Sequence, residues 1–258
     1  MPLLECHKLN KRFQAVHAVI DLDLALDAGI IYGFLGPNGA GKTTAIKMMA
    51  GILQPTSGSI SVCGVDMQRE PSKAKRSLGY MPQDVFLYDK LTPREFLRFS
   101  CELYGGDFRS EKSRAWELLE AFELSDKTNV LCGSLSGGQK QKLMLAALLI
   151  HRPKILLLDE PTNGLDPKSA RLVKDLLKKL AGDGAAVLMS THLMEVAERM
   201  CDTIGIINGG KIVAEGNLAA LRERAAREDG AGGEASLEDI FLGLTGGDNI
   251  RELISFLE

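Results

Sequence analysis

The stretch "IIYGFLGPNGAGKTT", residues 30–44, limits what this chain can fold into more than any other part of it. An apolar run from Ile30 to Leu35 stops at a glycine-rich turn, and a helical stretch of about Thr43 to Met49 follows. Uninterrupted apolar runs of this length suit a parallel strand buried on both faces. Gly36-x-x-x-x-Gly41-Lys42-Thr43 between such a strand and a helix is a turn built for phosphate. Gly36, Gly39 and Gly41, with Pro37, Asn38 and Ala40 between them, let the backbone curl so that its N–H groups face a β-phosphate. Lys42 reaches the β- and γ-oxygens, the Thr43 hydroxyl is placed for Mg2+, and Thr44 lies within reach of the α-phosphate.

The rest of the chain supplies partners for that unit. "KILLLD", 154–159, and "AAVLMS", 185–190, are apolar runs of the same kind, each followed by a polar turn and a helix. Residues 3–9, 19–26 and 58–65 read instead as half-buried antiparallel strands. In "VIDLDLAL" Ile20, Leu22, Leu24 and Leu26 share one face and Asp21 and Asp23 the other. "IGIINGGKIVAEG" is a pair of short strands joined at Asn208-Gly209-Gly210.

Between these segments lies a helical section. Thr92, Pro93 and Glu95 open a helix with a capping box, and "SEKSRAWELLEAFEL" supplies a second amphipathic helix, with Trp116 expected in the core of the helical lobe. The expected architecture is α/β, with a helical insertion of about 85–150. "EDGAGGEA", 228–235, reads as a flexible break, after which Ser236 and Asp239 form another capping box.

Composition excludes several classes. The chain has 258 residues, 45% hydrophobic and 25% charged, room for one large domain or a domain with a distinct lobe. Its net charge of -3 lacks the basic face of a general nucleic-acid binder, so no nucleic-acid partner is expected. The five cysteines are scattered, with no C-x-x-C pair. Reduced thiols in a cytoplasmic setting are the simplest expectation. No window reaches the roughly 18 uninterrupted apolar residues of a membrane helix, and the opening "MPLLECHKLNKRF" has no apolar core of a signal peptide.

Two more segments carry chemistry. "ILLLDE" delivers Asp159 to the carboxyl end of a buried strand, where α/β sheets bind ligands. Asp159 would hold Mg2+, and Glu160, pointing elsewhere, would orient and deprotonate an attacking water. "LSGGQKQK", Leu135 to Lys142, is a second phosphate-seeking turn: Ser136 can cap, and Gly137 and Gly138 leave N–H groups bare at a helix start.

In this order the phosphate turn, "LSGGQ", "ILLLDEP", "GLDP" and "STH" resemble the nucleotide-binding subunit of an ABC transporter, over roughly residues 3–220. The resemblance implies a P-loop NTPase fold: a RecA-like core, an antiparallel β-subdomain and a helical subdomain, with residues 221–258 as a C-terminal helical extension. It implies ATP and Mg2+ as cofactors and ATP hydrolysis as the reaction. It explains the second turn, because in this family two subunits pack head to tail around each ATP. Ser136, Gly137, Gly138 and Gln139 would then bind the γ-phosphate held by the partner's Lys42, and Asp166 in "NGLDP" would touch the partner's site. Phe13 stands where the family stacks an aromatic on adenine, Gln83 in "YMPQD" where it senses Mg2+ and the attacking water, and His192 where a histidine contacts the γ-phosphate. Lys142 stands where the family usually has Arg. His7, His17 and His151 have no such setting.

"LYDKLTPREFLRFSCELYG" and "SLEDIFLGLTGG" resemble the ATPase subunits of bacterial two-component exporters. "TNVLCGS" lacks the Gly/Glu-rich motif of exporters whose membrane and nucleotide domains are fused. The implied partners are a second ATPase subunit, identical or related, and a separate membrane permease docked between Gln83 and the helix near Thr92. That would hold the chain peripherally at the cytoplasmic face of the inner or plasma membrane. Two other readings stay open: a soluble ATPase of this family acting on ribosomes or nucleic acid, and a module that no longer hydrolyses ATP.

Overall fold

The computed structural model describes residues 2–229 and 236–245. The chain enters through an antiparallel hairpin, β1 (Leu4–Phe13) and β2 (Val16–Leu26), then runs through β3 (Ile31–Leu35) into α1 (Lys42–Met49). β4 (Ser57–Val62) and β5 (Val65–Asp66) return to the hairpin and complete an antiparallel sheet of order β2-β1-β4-β5. After α2 (Pro71–Lys75) and β6 (Leu78–Met81) come α3 (Pro93–Leu103), α4 (Phe108–Ala121) and α5 (Gly137–Leu149). The chain continues through β7 (Ile155–Asp159), α6 (Pro167–Gly182), β8 (Ala186–Thr191), α7 (Met194–Met200), β9 (Thr203–Asn208) and β10 (Lys211–Gly216). It closes with α8 (Leu218–Asp229) and α9 (Leu237–Thr245).

The second sheet has the order β10-β9-β3-β8-β7-β6, with every pairing parallel except that of β10. Both faces of its middle are covered, which is why β3, β7 and β8 are buried at every position. Leu156, Leu158, Val187 and Met189 pack on the helical side with α3, α4 and α5. Ile155, Leu157, Ala186 and Leu188 point the other way, into a core shared with α1 and the antiparallel sheet. A third cluster joins Leu35, Ile204 and Ile206 to α7, α8 and α9. Because β3, β8, β7 and β6 run in parallel, the turns that follow them lie along one edge of the sheet, and the functional groups meet there.

Several expectations need correction. β6 carries no sequence signal of its own, being four residues long, yet it is the edge strand that pairs with β7. β1 runs four residues beyond the expected end, to Phe13. Ile20 is only half-buried and Val19 takes the interior place. The register shifts between Leu9 and Lys11, and Asp21 adopts φ 45, so the alternation from Leu22 to Leu26 does not extend to Ile20. Trp116 is 42% exposed. The buried stripe of α4 is Ala115, Leu118 and Leu119, and Trp116 lies one position off it.

Other local readings hold. Thr92 and Glu95 form the expected capping box, as do Ser236 and Asp239. The strands around Asn208-Gly209-Gly210 pair as a hairpin. The five cysteines are free thiols. Within 228–235, Glu228 and Asp229 end α8; the remainder of the expected break lies outside the described residues. No helix among the described residues is long and apolar enough to cross a membrane.

Candidate nucleotide-binding site

The turn after β3 is held open by side chains it does not have. Gly36 packs so closely that a Cβ there would sit 2.7 Å from Ile207 Cγ2. Gly41 is the N-cap of α1 with φ 107, a left-handed conformation that favours glycine. Asn38, Gly39, Ala40, Gly41, Lys42, Thr43 and Thr44 line a cleft of 210 Å³ together with Ala18, Gln83, Asp159 and Glu160. Gln83 arrives two residues after β6, and Asp159 at the last position of β7.

Lys42 is buried, and its Nζ donates to the carbonyl oxygens of Gly36, at 2.6 Å, and Pro37, at 3.0 Å. Burial lowers its pKa below the ordinary lysine value, while the Glu160 and Asp159 carboxylates oppose that shift. A charged amine held by two carbonyls at a phosphate turn is poised to exchange them for stronger anionic acceptors.

Asp159 and Glu160 are both buried but differently held. Asp159 Oδ1 accepts from Ser190 Oγ at 2.5 Å, and its Oδ2 is buried with no hydrogen-bond partner. Buried polar atoms normally have partners, so this oxygen is suited to a cation or a bound water. Glu160 adopts φ 54, and its N–H donates to Ser190 Oγ at 3.0 Å. Its carboxylate meets His192 Nδ1 at 2.7 and 2.8 Å. Tyr80, on β6, has a buried hydroxyl without a partner; burial and Asp159 push its pKa up to about 12.

The second turn lies elsewhere. Ser136 caps α5: its Oγ accepts from Gln139 N at 3.3 Å, and Gln139 Oε1 accepts from Ser136 N at 3.0 Å. A Cβ at Gly137 would meet nothing within 4 Å, and one at Gly138 only Leu165 at 3.5 Å. Packing within the chain therefore does not require glycine at either position. Asp166 caps α6, accepting from Ser169 N at 3.0 Å and Ser169 Oγ at 2.6 Å, with Pro167 at the first helical position. The Ser169 hydroxyl and backbone hold its carboxyl below the ordinary range. Phe13 sits at the tip of the first hairpin, 44% exposed, with Lys11 Nζ 5.0 Å from its ring centre. Phe13, Gly36, Pro37, Ser136 to Gln139, Asp166 and His192 do not line the cleft that holds Lys42.

The family model described as ABC transporter matches residues 19–163, more than half of the chain. The chain belongs to the ABC transporter family. Within it, this ATPase domain is 39% identical over 227 residues to the probable multidrug ABC transporter ATP-binding protein YbhF of Escherichia coli. That match covers 88% of this chain and 39% of YbhF, so the chain spans well under half of that relative. It is 36% identical over 225 residues to the ABC transporter ATP-binding protein NatA of Bacillus subtilis, covering 85% of this chain and 92% of NatA. Among solved structures, an ATP-binding subunit of an ABC transporter superposes with a TM-score of 0.86 at 32% identity, covering 94% and 99% of the two chains. The ATP-binding cassette MJ0796, in a dimeric post-hydrolysis state bound to ADP and Pi, gives 0.77 at 28% identity, covering 83% and 98%. The P-loop NTPase fold follows from these likenesses.

Three residues of this ABC ATPase domain escaped sequence reasoning. Ala18 lines the cleft from β2, and its carbonyl is what a Cβ at Gly41 would strike. Gln141 donates from Nε2 to the Pro161 carbonyl at 2.7 Å, tying α5 to the turn behind Glu160. Ser190, two positions before His192, carries no local signal for its bond to Asp159. Lys142 pairs within the chain with Glu123 at 3.0 Å. Glu123 also bonds Lys168 of α6.

Proposed function

We propose that the chain is the ATP-binding and ATP-hydrolysing subunit of an ABC exporter, working as a head-to-tail dimer beneath a separate membrane permease. One observation carries the reading: Lys42, Asp159 and Glu160 line one cleft, with His192 bonded to Glu160 and a buried Asp159 oxygen left unpartnered. ATP is the substrate, its phosphates wrapped by the Gly36–Thr44 turn and met by Lys42. Phe13 offers an exposed ring face for the adenine. The donor set fits Mg2+: the Thr43 hydroxyl, Gln83 and Asp159 are oxygen donors at the cleft, and this hard cation takes few protein ligands beside phosphate. Bound there, the cation would neutralise charge on the phosphates. Glu160 takes the proton of the attacking water, and His192 holds its carboxylate.

The dimer assigns the second turn its work. Ser136, Gly137, Gly138 and Gln139 of one subunit meet the γ-phosphate on the other, and Asp166 approaches the same site. The open space at Gly137 and Gly138, and the dimeric MJ0796 cassette, support this. Residues 1–220 form the cassette, with the helical subdomain of about 85–150, and 221–258 the extension. Export rests on the relative named as a multidrug transporter protein. An apolar cleft of 420 Å³, lined by Phe86, Tyr88, Phe99 and Leu103 among others, suits the permease. Its outer residues Phe86 and Leu103 are strongly exposed. Through that contact the chain works at the cytoplasmic face of the membrane.

The test is Mg2+-dependent ATP turnover by the purified chain. Glu160→Gln is expected to cut turnover by roughly 100- to 10,000-fold, the worth of a positioned general base, with ATP still bound. Lys42→Ala is expected to weaken ATP binding itself. Turnover by Glu160→Gln close to that of the unmodified chain would overturn the assignment.

A further inference from the structure

Ser190 is fully buried at the fifth position of β8, beside Asp159 in the parallel ladder with β7. Residues paired in this way point to the same face of a sheet, which brings hydroxyl and carboxylate together. The hydroxyl makes two bonds: it donates to Asp159 Oδ1 at 2.5 Å and accepts from the Glu160 N–H at 3.0 Å. A serine hydroxyl has one donor and two acceptor sites, so both bonds are available to it at once.

We propose that Ser190 is a positioning residue for ATP hydrolysis, one hydroxyl that sets the Asp159 carboxylate and the Glu160 backbone in register with each other. The inference deepens the proposed function and rests on it. By engaging Oδ1, Ser190 leaves Oδ2 as the one Asp159 oxygen without a partner, turned over to the cation that accompanies ATP. By engaging the Glu160 N–H, it holds that residue at φ 54, where a side chain other than glycine, asparagine or aspartate is uncommon. Such conformations persist only where surrounding bonds over-determine them. The held backbone in turn presents the Glu160 carboxylate to His192. An ordinary core serine satisfies its hydroxyl on a nearby carbonyl and touches nothing that reacts. Ser190 has its two bonds on the two successive residues that handle cation and water.

Removing the hydroxyl is therefore expected to affect the chemistry and the cation rather than the grip on ATP. In Ser190→Ala, kcat is expected to fall about 10- to 100-fold, the usual effect of losing a partner that orients a ligating group. KM for ATP should stay within about threefold, because the Gly36–Thr44 turn is untouched. ATP binding measured in EDTA should be unchanged, while the gain in affinity on adding Mg2+ shrinks. Ser190→Thr, which keeps the hydroxyl, should restore most of both quantities. If the alanine chain does not fold, Ser190→Cys keeps the side-chain shape with only a weak donor and carries the same expectations. A Ser190→Ala chain whose kcat and Mg2+ gain lie within twofold of the unmodified chain's overturns the role. So does one that loses ATP binding in EDTA, since that marks a general structural part. An unmodified chain that does not turn over Mg-ATP overturns the proposed function itself, and with it the role of Ser190.

Discussion

The His192 ring nitrogen Nδ1 lies 2.8 Å from Oε1 of Glu160 and 2.7 Å from its Oε2, so the imidazole straddles the carboxylate. Glu160 is buried while His192 is half-exposed. With Nδ1 donating to Glu160, Nε2 is the ring nitrogen that the proposed phosphate contact would use.

Residues that act as a unit lose activity non-additively. His192→Ala is expected to lower turnover by about 10- to 100-fold, as loss of an orienting partner does. In the Glu160→Gln background the same change is expected to cost almost nothing further. Steady-state turnover of the two single variants and the double variant forms the cycle. A full multiplication of the two losses would show that the pair does not work together.

The second turn is expected to act on a partner subunit. With ATP, Glu160→Gln should elute as a dimer on gel filtration, and with ADP as a monomer. Adding Ser136→Arg or Gly138→Asp should leave it a monomer with ATP, because a side chain fills the open space beside the bare N–H groups. ATP affinity of the isolated subunit should barely change. Dimers that form normally in these variants would make the turn an ordinary helix cap.

Phe13→Ala is expected to weaken ATP binding by up to roughly a hundredfold, since base–aromatic stacking contributes about 1–3 kcal/mol. A ring face reads no base edge, so GTP should bind nearly as well as ATP to the unmodified chain. A titration showing strong preference against GTP would mean that another residue reads the base.

His151 is expected to make the fold acid-sensitive. Its ring stacks on Tyr104 at 3.6 Å between centres, and Nε2 bonds the Leu78 carbonyl at 3.0 Å. Burial lowers its pKa below the ordinary 6.5, with Arg114 adding to the shift and the Leu78 bond opposing it. The unfolded chain then binds the proton more readily than the folded one. This stabilisation is present above the ordinary value and is lost as pH falls through that value towards the lower folded one. Melting temperature should drop between pH 7 and pH 5, at about 2–4 °C for each kcal/mol lost. His151→Asn should flatten that part of the pH dependence; an unchanged slope would acquit His151.

What could be read from the chain beforehand was what neighbours in sequence determine. The phosphate turn, the caps at Thr92 and Ser236 and the final hairpin each need only a few consecutive residues. The pieces hidden from such reading depend on distant chain. Ser190 gains its bonds from the register of β8 on β7, which no local pattern encodes. β6 is too short to show a period, and only its pairing with β7 makes it a strand. The shift that displaces Ile20 is a bulge in β2, where Ile20 and Asp21 together face Asn10 of β1, and it shows only in the pairing of the two strands. For Trp116 the signal was present but misread: the stripe on α4 skips that position.

Helix α5 has fixed length and two ends with different neighbours. Its 13 residues make a rod of about 20 Å at the usual rise. At one end stand the bare N–H groups of Gly137 and Gly138. Further along, Met144, Ala147 and Leu148 form part of the wall of the apolar cleft. Gln141, between them, is fastened to the turn behind Glu160. A hydrogen-bonded helix resists compression, so a push on the first turn cannot be absorbed along the way. Were a partner's nucleotide to displace that first turn, as proposed, α5 would act as a thrust rod, and the displacement would reappear at the cleft wall with the Glu160 turn carried along.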